Sequence, residues 1–125
     1  MGWFSKEDSG SKPKVNWVKL TSEEELHSAV EGSMEKPILL FKHSTRCSIS
    51  TMALSGFENR WEGTGEEMTL YFLDLLKHRD LSNEIERITG VTHQSPQAIV
   101  IINKEVVYSA SHSGIDARQI LNLTK

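Results

Sequence analysis

Along the chain, hydrophobic positions switch between a spacing of two and a spacing of three to four, and the switches mark alternating strands and helices. Val15-Asn16-Trp17-Val18-Lys19-Leu20 alternates as a half-buried strand, and Thr21 with Glu24 fits a capping box that opens a helix through Leu26, Ala29 and Val30. After Pro37, Ile38-Leu39-Leu40-Phe41 is continuously apolar, the pattern of a central parallel strand covered on both faces, and polar residues Lys42 to Arg46 end it. From Ser48 onward, Ile49, Met52, Ala53, Gly56, Phe57 and Trp61 recur at helical spacing, which predicts one buried face of a helix that stops near Gly63 or Gly65.

A third strand is expected across Met68 to Leu75, followed by a helix capped by Asp80 or Ser82, with Leu81, Ile85 and Ile88 on one side and Gly90 at its end. Ala98 to Ile102 and Val106 to Tyr108, joined by Asn103-Lys104, read as a hairpin. Ser113 with Asp116 fits the cap of a last helix through Ala117, Ile120 and Leu121. The order βαβαβαββα predicts an α/β fold, a central mixed sheet with helices on both faces, because crossovers of this length make right-handed parallel connections. Residues 15–125 are expected to form a single domain, and residues 1–14, which have no apolar period, a flexible leader.

Charge and composition narrow the partners. Fourteen Lys and Arg against seventeen Asp and Glu give a net charge of −3 without a basic stretch, so nucleic acid is not an expected partner. No apolar run reaches the roughly 18–20 residues that cross a bilayer, and the first ten residues lack the apolar stretch of a secretory signal, so a cytoplasmic protein with no membrane partner is expected. The Met1-Gly2 start does not complete a myristoylation signal, since Lys6 stands where Ser or Thr is needed.

The chain has one cysteine, Cys47. It cannot form an internal disulfide, so any disulfide it forms joins it to another molecule. Its predicted place, just past the carboxyl end of the central strand and at the start of a helix, is where ligands meet open α/β sheets and where unpaired amides and the helix dipole favour a thiolate. Arg46 beside it supplies a cation. Its polar neighbours Thr45, Arg46, Ser48 and Ser50 argue for an exposed thiol rather than a core filler. A second element is Ser95-Pro96, directly before an apolar strand; spacing alone favours an ordinary trans bond there.

The strand, then S-T-R-C-S-I-S opening an amphipathic helix, then S-P before a hairpin and a terminal helix, resembles the thioredoxin superfamily over nearly all of residues 15–123. Within it, F-K-H-S-T-R-C-S-I-S is similar to the T-C-P-I-S segment of the monothiol bacilliredoxins of the bacillithiol system. The resemblance implies a thioredoxin fold, Cys47 as the attacking cysteine, Ser50 in the place of a resolving cysteine, and Pro96 as the cis-proline facing the thiol. Ser95 would then pair through its backbone with a bound thiol or peptide, alongside Thr45, Ser48 and Ile49. Ser48 departs from the family, which usually has proline there.

The activity so implied is monothiol thiol–disulfide exchange. Cys47 would remove a low-molecular-weight thiol, bacillithiol or a similar co-substrate, from S-thiolated client proteins, with no tightly bound cofactor. An external thiol reductant or reductase would regenerate it. Ser50 is expected to donate a hydrogen bond to the Cys47 thiolate. The five scattered histidines and one cysteine show no zinc-ligand spacing, so no metal is expected, although His43 and His93 are candidates to border the thiol. The competing reading is a thioredoxin-fold binding module whose cysteine is incidental.

Overall fold

A computed structural model of the protein describes residues 15–125; the expected leader lies outside the described residues. The elements in chain order are β1 (Trp17–Lys19), α1 (Glu23–Gly32), β2 (Ile38–His43), α2 (Ser48–Arg60), β3 (Thr69–Asp74), α3 (Arg79–Thr89), β4 (Gln97–Ile102), β5 (Glu105–Ser111), a 3-10 turn at His112–Gly114, and α4 (Ala117–Asn122). One five-stranded sheet has the order β1-β3-β2-β4-β5. Strands β1, β3 and β2 run parallel, and β4 and β5 are antiparallel to their neighbours. The expected element order and mixed sheet are both present.

The alternation of β2 explains the layering. Leu39 and Phe41 turn to one face, where Phe57 of α2, Trp61 at its C-cap, and Ala117, Ile120 and Leu121 of α4 cover them. Ile38 and Leu40 turn to the other, against Leu26 and Ala29 of α1 and Leu81 and Ile85 of α3. A strand that is paired on both edges and covered on both faces has no solvent side, so all six residues of β2 are buried. The burial runs two residues past the apolar stretch: Lys42 and His43 belong to the strand rather than ending it.

Several ends differ from the sequence reading by a local hydrogen bond. Helix α1 is capped by Ser22, whose hydroxyl accepts from Glu25 N–H, while the Glu25 carboxylate accepts from both the N–H and the hydroxyl of Thr21, so the box is shifted by one residue from Thr21 and Glu24. Helix α3 has His78 at its N-cap with no side-chain cap; Asp80 lies in its first turn and Ser82 is buried. Asp116 itself caps α4, accepting from the amides of Arg118 and Gln119, in place of the expected Ser113. Helix α2 ends at Arg60, short of both glycines. Gly90 does end α3, with φ at 74°, a left-handed conformation that glycine adopts without a Cβ penalty.

The hairpin between β4 and β5 turns through Asn103 and Lys104, both at positive φ, as a two-residue connection of this twist requires. Buried Ser33 pins it, accepting Asn103 N–H on its carbonyl and Lys104 N–H on its hydroxyl. No helix among the described residues is long and apolar enough to cross a membrane.

Candidate functional site

Parallel pairing puts the carboxyl ends of β1, β3 and β2 at one edge of the sheet. Antiparallel β4 brings its start to that same edge, with Gln97 opposite Lys42. The turn Ser44 to Cys47 leaves β2 there, closed by Cys47 N–H donating to the Ser44 carbonyl at 3.2 Å. Cys47 is the N-cap of α2, with extended backbone, and its side chain accepts no capping hydrogen bond. Its carbonyl already starts the helix, accepting from Thr51 N–H at 3.0 Å and from the Thr51 hydroxyl at 3.2 Å.

Thr45, Arg46, Ser48 and Ile49 surround the half-buried thiol as exposed residues. Ser95 and Pro96 stand at the start of β4 on the same edge, and the bond between them is cis, as the resemblance implied and as spacing alone did not. Neither the N–H nor the carbonyl of Ser95 has a backbone partner among the described residues, and its hydroxyl is buried without one. The site residues expected from sequence are thereby gathered at one edge, with Ser50 as the exception in orientation.

Ser50 points inward and is fully buried at 0% exposure. Its hydroxyl oxygen accepts Ser44 N–H at 3.0 Å and lies 2.7 Å from His43 Nδ1. No hydrogen bond among the described residues joins it to Cys47, so the expected donation to the thiolate is replaced by a contact that ties the turn to the strand. The cause is helical geometry: Ser50, Leu54, Phe57 and Trp61 follow one inward stripe of α2, and Ser50 is the member that meets the strand end. Burial lowers the pKa of His43, with Asp74 acting in the opposite direction, so the imidazole is favoured in its neutral form.

On the other face of the strand end, Lys42 is buried at 0% exposure with its Nζ 3.2 Å from His93 Nδ1. Burial pushes the Lys42 ammonium down to about 8, while Glu86 works the other way. Ser82 of α3 meets the same His93 nitrogen at 3.1 Å, and His93 N–H donates to Glu86 at 3.1 Å. Gln97 holds the neighbouring Thr92 carbonyl at 3.0 Å. The segment that carries Ser95 and Pro96 is therefore anchored at both ends. Sequence reading took Lys42 for a strand terminator; the clue to its burial was its place in the same alternation as Ile38 and Leu40.

The apolar stripe expected to face the core is split. Phe57 and Trp61 are buried, but Ile49 is 55% and Met52 73% exposed. They lie on a flank of α2, which with His112, Ser113 and Ile115 walls a groove of about 320 Å³. The larger depression, about 870 Å³ between β1 and α1, contains neither Cys47 nor Pro96. One group of clustered metal-ligand atoms occurs among the described residues, on Glu23, His27 and Glu84; it does not include Cys47, and Glu84 is bound to Arg87 and His27.

A sheet of this topology, with its only cysteine capping the helix after the central strand and a cis-proline at the same edge, defines a thioredoxin-fold thiol oxidoreductase. The chain is similar to a solved structure with a thioredoxin fold, at 31% identity and a TM-score of 0.73, over 87% of this chain and 94% of that one. Thioredoxin of Malassezia sympodialis (15% identity, TM-score 0.67, 90% and 91% covered) and thioredoxin f from spinach chloroplast (16%, 0.63, 86% and 89%) share the fold. Residues 18–120 match the family described as monothiol bacilliredoxin BrxC, and the chain belongs to that family.

Proposed function

We propose that this protein removes a low-molecular-weight thiol, bacillithiol by its family, from S-thiolated client proteins through Cys47. The observation that carries the reading is the placement of the chain's one cysteine at the N-cap of α2, half-exposed at the sheet edge, with the Ser95 backbone, unbonded among the described residues, at the start of the neighbouring strand. Cys47 stands where the first-turn amides of α2 open, with Arg46 next to it in the chain.

The Cys47 thiolate attacks the small-thiol sulfur of the mixed disulfide. A bond forms between Cys47 and that sulfur, the original disulfide breaks, and the client leaves as a thiolate that takes a proton from water. Cys47 is left in a mixed disulfide with the small thiol. With no second cysteine in the chain, an external thiol or reductase must attack that disulfide and return Cys47 to its reduced form. Thr45, Ser48 and Ile49 contact the incoming disulfide, and the Ser95 N–H and carbonyl pair with its backbone or amide groups.

Mass spectrometry of Cys47 in protein taken directly from its native cell tests this. The expected result is an adduct with the mass of one small thiol. A Cys47 that carries no adduct even after disulfide stress would overturn the reading in favour of a binding module with an incidental cysteine.

A further inference from the structure

Helix α2 carries a second stripe beside its buried one. Ile49, Met52, Ala53, Gly56 and Arg60 lie on a flank of the helix, roughly 60–160° around from the stripe that enters the core. This flank forms one wall of the groove described above, and the 3-10 turn and Ile115 form the other. His112 N–H donates to the Pro96 carbonyl at 3.1 Å, so the far wall is tied to the cis-proline segment. Further along, past Gly56, the groove continues into a space of about 420 Å³ reached by Arg60 and Arg118.

The two ends differ in chemistry. Next to Cys47 the wall is apolar and exposed. At the other end the Arg60 guanidinium folds back along the helix, so that a Cβ on Gly56 would stand 3.4 Å from its Nη1. Arg118 lies across from it at the start of α4. No ion pair among the described residues engages either guanidinium. The one carboxylate lining that end, Asp116, is occupied in capping α4. A cationic end on a chain of net charge −3 is a local feature and not a reflection of overall composition.

Gly56 is nine positions after Cys47, about 14 Å along the helix axis. An extended peptide covers that distance in about four residues. We propose that the groove docks the client segment next to its thiolated cysteine, with apolar residues against Ile49 and Met52 and an acidic side chain, about four residues from the cysteine, at Arg60 and Arg118. Identifying the occupant as a client rests on Cys47 being the attacking thiol.

The test uses two synthetic peptides, each with one cysteine and a Leu two positions away, and with either Glu or Lys at the fourth position on both sides. In one arm the cysteine is replaced by serine and the peptide is titrated into Cys47→Ser protein by amide NMR. In the other arm the cysteine is joined to bacillithiol in a mixed disulfide, the peptide is mixed with wild-type protein, and peptide thiol release is followed. The Glu peptide should bind about three- to tenfold more tightly, with shifts confined to 49–60 and 112–118, and the preference should shrink as salt rises. In Arg60→Gln/Arg118→Gln protein the ratio between the peptides should fall to about one.

Equal binding of the two peptides, or shifts elsewhere on the surface, would overturn the docking proposal even if both peptides release their thiol. Preferential binding of the Glu peptide without any thiol release would uphold the docking surface and overturn the exchange reaction instead.

Discussion

The Ser50 hydroxyl and His43 Nδ1 lie 2.7 Å apart in the interior, with Ser44 N–H donating to the same hydroxyl oxygen at 3.0 Å. Ser50, three positions after Cys47, is therefore a strut between helix and strand. Ser50→Ala leaves a buried imidazole nitrogen and a backbone N–H without their partner, a change expected to cost about 1–3 kcal/mol of stability. Urea unfolding should show this loss. Cys47→Ser, by contrast, should abolish thiol release with little change in unfolding midpoint. A Ser50→Ala protein of unaltered stability would refute the strut.

Ser48 opens α2 in the position where proline is best tolerated, since the N1 amide needs no helical partner. Cys47 before it has φ −108° and ψ 120°, the extended backbone that a following proline demands. Ser48→Pro should accordingly raise stability by about 0.4–1 kcal/mol through the unfolded chain, without displacing the thiol. Thermal unfolding monitored by circular dichroism would reveal it, and a lowered midpoint would count against the assigned helix start.

Lys42 predicts an alkaline effect. Its pKa is about 8 in the fold and 10.5 when unfolded, so between those values the unfolded chain binds more protons and this group makes stability rise with pH. Below about pH 8 both states are charged and the full burial cost, up to ~3 kcal/mol, is present. Lys42→Met should be more stable than the parent at pH 7, and its advantage should dwindle toward pH 10. Denaturant melts of both proteins at the two pH values decide this; a constant difference would contradict it.

Acid acts through histidine. Burial lowers the pKa of His43, and burial with the nearby Lys42 charge lowers that of His93. The unfolded histidines protonate first, near 6.5, so their contribution is whole above that pH and is lost as pH falls through the folded values. The ring-proton NMR resonance of His43 should titrate with a midpoint below 6.5, and stability should decline over the same range. A midpoint at or above 6.5 would exclude the neutral buried imidazole.

The strand order and the place of Cys47 were legible because they rest on periodicity and chain connectivity. Ile38 to Phe41 could only be central, and the next helix could only begin at the sheet edge. What periodicity does not encode is which of two neighbouring stripes on a helix meets the core. Ile49 and Met52 have core-like side chains, yet they lie on a flank of α2 that stays exposed among the described residues. The caps at Ser22 and Asp116 were misplaced by one and three residues because several hydroxyl and carboxylate groups competed there, and only backbone direction selects among them. Ser50 was assigned to the thiolate by analogy with a resolving cysteine; its inward direction depends on the packing of Phe57 and Trp61 farther along the same helix.

The chain has a single sulfur nucleophile, and it is reached from one edge of the sheet. If the proposed exchange holds, client and reductant use the same doorway, one after the other. Under the proposed exchange the steady-state rate should follow ping-pong kinetics, with parallel double-reciprocal lines when one substrate is varied at fixed levels of the other. Each substrate in excess should then inhibit by occupying the form of the protein that awaits its counterpart.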